Sequence, residues 1–314
     1  MHGLWQTQRM QKLAHCLIAI FVAASSTALA APLELNDGDR VIFLGNSFFE
    51  RARDYGHIEH ELLGRYPSKT ITFRNLGWDG DTVFGHSRTG GRRRAVFGEP
   101  EEGFRKMVTH VRSLKPSVVF VAYGYNESFR YGEALKPFRD GLERLLKELS
   151  ARDNAPRFVL LSTTPMETSF GADDAHVTAR NALLKSYAET IGEVAKTGGH
   201  AFVDLFQPLI ETDKSYSENG IHPSPEGYRC IAEIIAESLN CPPPAFAQSP
   251  ENVREAIVRK NTLYFHRWRP RNDAFVYGER KDEQKIAQTE PEKFEPFIAK
   301  AEAKIRELLD KHTR

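Results

Sequence analysis

The chain is poor in cysteine, has almost no net charge and has no hydrophobic run long enough to cross a membrane. Its 43 Lys and Arg balance 42 Asp and Glu, which argues against bulk electrostatic binding to nucleic acid or anionic lipid. The apolar run near the amino terminus, Cys16–Ala24, falls well short of the ~20 residues of a bilayer span. The sequence has no internal repeat and no low-complexity tract that would indicate disorder. We therefore expect a small-molecule partner, no nucleic-acid binding and no stable membrane insertion.

The first 30 residues have the pattern of a signal peptide. Arg9 and Lys12 form a basic region, Cys16–Ala24 forms an apolar core, and Ala28-Leu29-Ala30 supplies the small-residue cleavage pattern. Residues 1–30 are therefore predicted to be removed near Ala30, which leaves an exported protein in the periplasm or outside the cell. An uncleaved amphipathic anchor is the alternative.

Two of the three cysteines, Cys230 and Cys241, lie beyond this leader. Cys230 falls in a predicted helix, and a continuing helix would hold the two Cα atoms ~16 Å apart at 1.5 Å per residue. A disulfide needs them within ~7 Å. Pairing requires the chain to double back after Asn240, so the pattern leaves it open.

The body of the chain alternates short apolar runs with helix-length amphipathic stretches. Each run is nearly continuous in apolar character, as expected for strands covered on both faces. Strand–helix alternation predicts a three-layer α/β/α fold around a mostly parallel, five-stranded sheet. Ligands in such sheets lie at the carboxyl ends of the strands. The five runs are Arg40–Gly45, Thr70–Gly77, Ser117–Gly124, Arg157–Ser162 and Ala201–Phe206.

The composition changes after residue 241, where a proline-rich stretch reaches Pro250. A short helix to about Lys260, an aromatic and basic segment (Tyr264–Arg271) and an amphipathic helix (Glu290–Lys311) follow. We therefore predict a main domain over residues 31–241 and a linker with a helical extension over 242–314. The Tyr264–Arg271 segment either buttresses the main domain, which we favour, or contributes to specificity.

A serine follows the first predicted strand directly, in Gly45-Asn46-Ser47. At a strand-to-helix turn, the Ser47 N–H lies at a helix N-terminus, where donors lack partners and negative charge is favoured. That placement suits a nucleophile whose attack creates an oxyanion nearby. The alternative is that Ser47 is an ordinary N-cap.

Three further residues complete an acyl-transfer set. Gly77 ends the second predicted strand, and its N–H could serve as an oxyanion donor or only meet a backbone need. Asn126, after the third, could donate from its side chain or form an Asx turn. His222 precedes a helix after the fifth and could act as a base.

In this order, Ser47, Gly77, Asn126 and His222 resemble the four motif blocks of the SGNH (GDSL-like) hydrolases. The likeness runs from about Asp39 to Leu239. It implies a flavodoxin-like α/β/α fold and an ester hydrolase. It further implies that Ser47 is the nucleophile and His222 its general base. The oxyanion hole would be formed by the N–H groups of Ser47 and Gly77 and the side chain of Asn126.

The sequence departs from the pattern of that family at three positions. The first block usually reads Gly-Asp-Ser, the third Gly-x-Asn-Asp and the last Asp-x-x-His. Here Asn46 replaces the first Asp, Glu127 replaces the second, and Asn219 stands where the triad acid is expected. In a serine protease triad, Asp→Asn costs ~10⁴ in turnover.

A Ser–His dyad is therefore expected, with the side chain of Asn219 orienting His222. Glu218 or a backbone carbonyl is the alternative orienting group. The chemistry requires no metal and no cofactor, since the histidines lack zinc-type spacing.

The loop after Gly77 suggests how the substrate is bound. Trp78 could stack on a sugar ring, and Arg88, with the following Arg92–Arg94, could hold an anionic group; a packing role and a solvated face are the alternatives. We favour removal of acetyl or other small acyl groups from a carbohydrate. The alternatives are a non-catalytic glycan-binding protein and a lipase or acylhydrolase of lipid esters. The sequence does not predict the oligomeric state.

Overall fold

The computed structural model describes residues 33–88, 100–130, 134–151, 153–168, 173–246, 250–278 and 280–313. The predicted leader (residues 1–30) and Arg92–Arg94 lie outside the described residues. No helix in the described ranges is long and apolar enough to span a membrane.

A parallel sheet of five strands forms the centre of the described part of the chain, with strand order β2-β1-β3-β4-β5. Every neighbouring pair is parallel. The predicted fold class is confirmed, although the strands are shorter than four of the predicted runs, because the runs continue into the loops that carry the site. The strands are β1 (Arg40–Gly45), β2 (Thr72–Asn75), β3 (Val118–Ala122), β4 (Arg157–Leu161) and β5 (Ala201–Val203).

Helices cover both faces of the sheet, as the nearly continuous apolar strands require. Short 3₁₀ turns at His86–Arg88, Glu127–Arg130, Lys285–Thr289 and Pro291–Phe294 join several of them. The α-helices are α1 (Ser47–Tyr55), α2 (His57–Arg65), α3 (Pro100–Ser113), α4 (Leu135–Ser150), α5 (Asp174–Gly198), α6 (Phe206–Ile210), α7 (Pro225–Ser238), α8 (Glu251–Trp268), α9 (Asp273–Val276) and α10 (Glu295–Thr313).

Alternate residues of each strand feed two separate hydrophobic cores. In β1, Val41 and Phe43 pack on the side of α1, α2 and α7, whereas Ile42 and Leu44 pack on the side of α3, α4 and α5. Period-two alternation of side chains along a strand accounts for this division. Because both faces are buried, the carboxyl ends of the strands are left as the place for a site.

The carboxy-terminal extension packs against this layered body. Helix α8 runs to Trp268, eight residues beyond the predicted end near Lys260, because its apolar positions continue in Tyr264 and Trp268 at helical spacing. Val253 and Ile257 join the first core, whereas Tyr264 and Trp268 join the second. The aromatic segment therefore buries its rings against the sheet layers.

Cys230 and Cys241 are free thiols. Helix α7 ends at Ser238, and Cys241 lies against the first core beside Cys230's helix without bonding to it.

Candidate active site

Ser47 is the first residue of α1 and directly follows β1 and Asn46. The N-cap of the helix is Asn46, whose side-chain oxygen accepts a hydrogen bond from the N–H of Phe48 at 3.0 Å. The Ser47 hydroxyl is therefore not used as the cap. At the first helical position its N–H also lacks an intrahelical acceptor. Both groups are available at the edge of the cleft, where Ser47 is half-buried.

Gly80, and not Gly77, brings its backbone N–H to the Ser47 hydroxyl. The Gly80 N–H donates to Ser47 Oγ at 3.3 Å. The Gly77 N–H instead donates to Asn75 Oδ1 at 2.8 Å, inside the protein. The predicted oxyanion role of Gly77 is therefore wrong, because its donor is already occupied by the side chain two residues earlier.

Each of these two positions requires glycine for a different physical reason. A Cβ on Gly77 would lie 2.2 Å from the backbone nitrogen of Glu50, so only glycine lets the loop approach α1. Gly80 has a φ of +69°, a left-handed conformation that costs other residues energy, although a Cβ there would meet only Ser87 Oγ at an ordinary contact distance of 3.4 Å. One glycine permits close packing, and the other permits the turn that aims an N–H at Ser47.

Asn126 lies in the loop that follows β3, four residues after Ala122, and lines the same cleft as Ser47. Its Nδ2 donates one hydrogen bond, at 2.9 Å, to the carbonyl of Asp81 in the loop that carries Gly80. A primary amide has a second N–H, which is left for a ligand. The carboxyl of Glu127 is buried and accepts from the N–H groups of Val83 and Gly124, each at 2.8 Å; burial raises its pKa to about 7.

His222 lies opposite, in the loop that precedes α7. A bridge between Ser217 and Pro223 and a hydrogen bond from the Glu218 N–H to the His222 carbonyl at 2.8 Å fix the loop backbone. The ring is half-buried. Burial lowers its pKa, the positive charge of Arg51 lowers it further, and the negative charges of Asp79 and Glu218 oppose both effects. The imidazole is therefore favoured in the neutral form that a general base needs.

The side chain of Asn219 does not orient the ring. Its Oδ1 accepts from the N–H groups of Ile221 at 3.2 Å and His222 at 2.9 Å, which closes an Asx turn. Glu218 is likewise engaged, because its carboxylate binds Arg51 at 2.5 Å and accepts from the Tyr55 hydroxyl at 2.8 Å. Neither predicted partner reaches the ring, and no other described residue hydrogen-bonds to it.

Ser47, Asn126 and His222 together border a cleft of about 270 Å³ at the carboxyl ends of the strands. Phe129 stands at its rim with 54% of its surface exposed, and the guanidinium of Arg180 lies 4.6 Å from the centre of that ring. Tyr125 packs against Phe129 with ring centres 5.9 Å apart. The remaining lining residues are Asn46, Phe48, Ala122, Tyr123, Ser162, Thr163, Thr164, Ile221 and Pro223.

Trp78 and Arg88, predicted to bind substrate, do not line this cleft. Arg88 is buried, with its guanidinium bound to Asp81 at 2.7 Å and to the carbonyl of Leu76 at 2.7 Å. Its charge is therefore paired inside the protein, where it holds the loop and does not face a ligand, because a buried cation must be paired. Trp78 packs against Trp268, with ring centres 5.6 Å apart. No group of three or more His, Cys, Asp or Glu side chains in the described ranges could hold a metal ion.

The sequence reasoning missed Gly80 and Phe129. Gly80 stands in the run Trp78-Asp79-Gly80 and could have been weighed beside Gly77, since either glycine follows the second strand. Phe129 carries no sequence signal, because a phenylalanine after a strand is ordinarily expected to be buried.

A family model for GDSL-like lipases and acylhydrolases matches residues 43–230, a region that contains Ser47, Gly80, Asn126 and His222. The chain belongs to the GDSL-like lipase/acylhydrolase family. The match covers more than half of the chain and includes the end of β1 and all of β2 to β5, so the resemblance seen in the four motif blocks is confirmed at the level of the family.

Relatives of this GDSL-like protein cover between 40% and 67% of it. An acetylxylan esterase of Xylanibacter ruminicola is 26% identical over 149 residues, a match covering 40% of this chain and less than a third (29%) of that relative. A gut microbial diltiazem-metabolizing enzyme superposes with a TM-score of 0.52 at 20% identity, over 67% of this chain and 49% of that one. A protein of Parabacteroides merdae named as a GDSL-like lipase gives 0.51 at 14%, over 67% and 99%. The two structures show a shared fold.

Proposed function

We propose that the protein is a serine ester hydrolase in which Ser47 is the nucleophile and His222 the general base. The observation that carries the proposal is that Ser47, Asn126 and His222 border one cleft, with the Gly80 N–H 3.3 Å from Ser47 Oγ. Acyl transfer needs a nucleophile, a base and donors for an oxyanion at one place. A GDSL-like chain with this set has each of them.

The reaction follows from these positions. His222 accepts the Ser47 proton as Oγ attacks the ester carbonyl carbon, and the oxyanion receives hydrogen bonds from the N–H groups of Ser47 and Gly80 and from Asn126. The imidazolium then protonates the leaving alcohol oxygen as the C–O bond breaks. Water next gives a proton to His222 and attacks the acyl-enzyme, which releases the acid and returns the proton to Ser47. One such oxyanion donor is worth about 2.7–4 kcal/mol of transition-state stabilisation.

The base works without a hydrogen-bonded acid in this proposal. The charges of Asp79 and Glu218 both raise the pKa of His222 against burial and Arg51, so they stabilise the imidazolium through space. Glu218 is partly neutralised by its ion pair with Arg51, whereas no described residue forms an ion pair with Asp79. Asp79 is therefore the carboxylate we assign to this role.

We propose an acetyl or other small acyl group on a carbohydrate as the substrate. A cleft of about 270 Å³ lies at the small end of the range of ligand sites, which run to about 300–1,000 Å³, and a small acyl group fits it. The exposed ring of Phe129 offers a flat apolar surface for a sugar at the rim. The relative named as an acetylxylan esterase is consistent with this class of substrate.

The test is hydrolysis of p-nitrophenyl acetate and of acetylated xylan by the protein and by its Ser47→Ala variant. Both esters should be cleaved by the parent, and both activities should fall by about 10⁴-fold or more in the variant, with an unchanged melting temperature. Equal rates in the two proteins would place the chemistry at another residue. Binding of the glycan without turnover in either would favour a glycan-binding protein on this fold.

A further inference from the structure

The loop that carries Gly80 depends on contacts from outside itself. We call residues 77–81 the oxyanion loop. Its middle residues, Asp79 and Gly80, are exposed. The position of the Gly80 N–H beside Ser47 therefore depends on the groups that contact the backbone and the other side chains of the loop.

Glu50 contacts the backbone of this loop from α1. Glu50 is buried on α1, three residues after Ser47, and its Oε2 accepts a short hydrogen bond from the N–H of Asp79, next to Gly80. The same oxygen accepts from Nη1 of Arg269 at 2.6 Å. A buried carboxylate is costly unless it is paired, and Arg269 is its cationic partner.

Arg269 also contacts the oxyanion loop itself, through the side chain of Trp78. Its guanidinium lies 4.1 Å from the centre of the Trp78 ring, and Trp268 makes an edge contact with the same ring, with centres 5.6 Å apart. Trp78 belongs to the loop and donates its N–H to the carbonyl of Gly45 at 3.0 Å, two residues before the nucleophile. Two neighbouring residues of the extension thus contact the loop's side chain and the carboxylate beneath it.

Helix α8, at whose end Arg269 lies, is itself fixed to the body of the protein. Lys260 is only 1% exposed, and its Nζ binds Glu59 of α2 at 2.8 Å and the carbonyl of Phe73 in β2 at 3.2 Å. A buried, doubly bonded ammonium resists displacement, because breaking the pair leaves a charge without a partner. The end of α8 is therefore a firm support.

We propose that Arg269 is a positioning residue for ester hydrolysis, acting through Glu50 and Trp78 to hold the Gly80 N–H at the oxyanion. The proposal rests on the function proposed above, in which Gly80 is an oxyanion donor. Arg269 does not line the cleft that holds Ser47. Its removal leaves Glu50 as a buried carboxylate without its cation and takes the guanidinium away from Trp78, which keeps its contact with Trp268.

The experiment compares Arg269→Ala and Arg269→Lys with the matched control Arg267→Ala. Arg267 lies two residues away on the same helix but pairs with Glu295 of the extension, at 2.6 Å, and not with the loop. Each variant is measured for kcat and KM on p-nitrophenyl acetate and for backbone amide exchange in peptides spanning residues 76–83. Melting temperatures show that each variant is folded.

Arg269→Ala should lower kcat about tenfold with KM within about twofold, since a displaced oxyanion donor weakens the transition state selectively. Exchange should accelerate in the oxyanion loop and not across the sheet. Arg269→Lys, which keeps the charge but not the planar stack, should fall between. Arg267→Ala should match the parent in both measurements.

Two results would overturn the proposal. Unchanged exchange in the loop of Arg269→Ala would show that the arginine does not hold it, whether or not the parent hydrolyses esters. Faster exchange with an unchanged kcat would show that the contact has no catalytic consequence. A parent without turnover would instead refute the proposed function, and the exchange measurement would still decide whether Arg269 orders the loop.

Discussion

The oxyanion side of the cleft and its histidine side are held in different ways. On the oxyanion side, the loop after β2 carries Gly80; it hydrogen-bonds to Glu50 of α1 and to Asn126 after β3, and its Trp78 ring stacks on Arg269 at the end of α8. On the histidine side, the loop around His222 is fixed through its backbone, while the ring has no hydrogen-bonded partner among the described residues.

The difference separates two requirements of the reaction. Hydrogen-bond donors act through their position, so they need a rigid frame. A base acts through its protonation state and its reach, and nearby charges can set the first without touching the ring. We propose that packing holds the donors in position and that nearby charges set the protonation state of His222, and each of the following changes tests one half of that comparison.

The largest effect is expected from His222→Gln. Loss of the base should lower kcat by about 10⁴-fold or more, because no other described group is placed to take the Ser47 proton. The double variant with Ser47→Ala should be no slower than either single variant, since the two residues act as a unit. Additive losses would mean that Ser47 and His222 serve separate steps.

The next effect concerns the oxyanion side. Asn126→Asp keeps the size of the side chain and removes its N–H donors, so kcat should fall by about 10²–10³-fold. Asn126→Ala, measured beside it, separates donor loss from the negative charge of the aspartate. If both variants retained parental turnover, the oxyanion would not lie at Asn126.

A small effect is expected from Asn219→Asp. Because Oδ1 of Asn219 accepts from the loop's own N–H groups, an aspartate should keep those bonds and add little to catalysis, about threefold at most. A rise approaching the ~10⁴ that separates Asp from Asn in a protease triad would show that the side chain reaches the ring after all.

The smallest effect is a shift of the pH profile. Burial and Arg51 lower the pKa of His222, so the acidic limb of kcat/KM should lie below the ordinary histidine value of about 6.5. Arg51→Gln removes a positive charge and should raise that pKa, moving the limb to higher pH. Asp79→Asn should move it to lower pH, each by about one unit or less because the site is half-exposed. Parallel shifts in the same direction would contradict the assignment.

Much of the fold could be predicted from the sequence. Apolar runs between helical stretches defined the parallel sheet, and a serine, an asparagine and a histidine placed after strands were found to share a cleft because the strand ends share an edge. Distances within loops could not be predicted. Gly77 and Gly80 lie three residues apart, and only the backbone direction, set by the contact of Gly77 with α1, decides which N–H faces Ser47.

Side-chain pairings could not be predicted from the sequence either. Arg88 was predicted to be a surface cation, yet Asp81, seven residues earlier, draws it into the interior. Asn219 was predicted to serve its neighbour His222 through the ring, but it serves the backbone of the same turn. In both cases the hydrogen-bond partner is close in sequence. The conformation of the loop decides which partner the side chain reaches, and residue propensities do not determine that conformation.

The bond between Arg269 and Glu50 joins residues 219 positions apart in the chain. During synthesis, the strands of the sheet, Ser47 and His222 are translated well before Arg269, the residue that closes this bond. Long-range contacts of this kind form late in folding, because the loop between them must first be closed. A nascent chain can thus carry every residue that we propose for the reaction, while the contact that we propose to hold the Gly80 N–H waits for the last quarter of the sequence to dock.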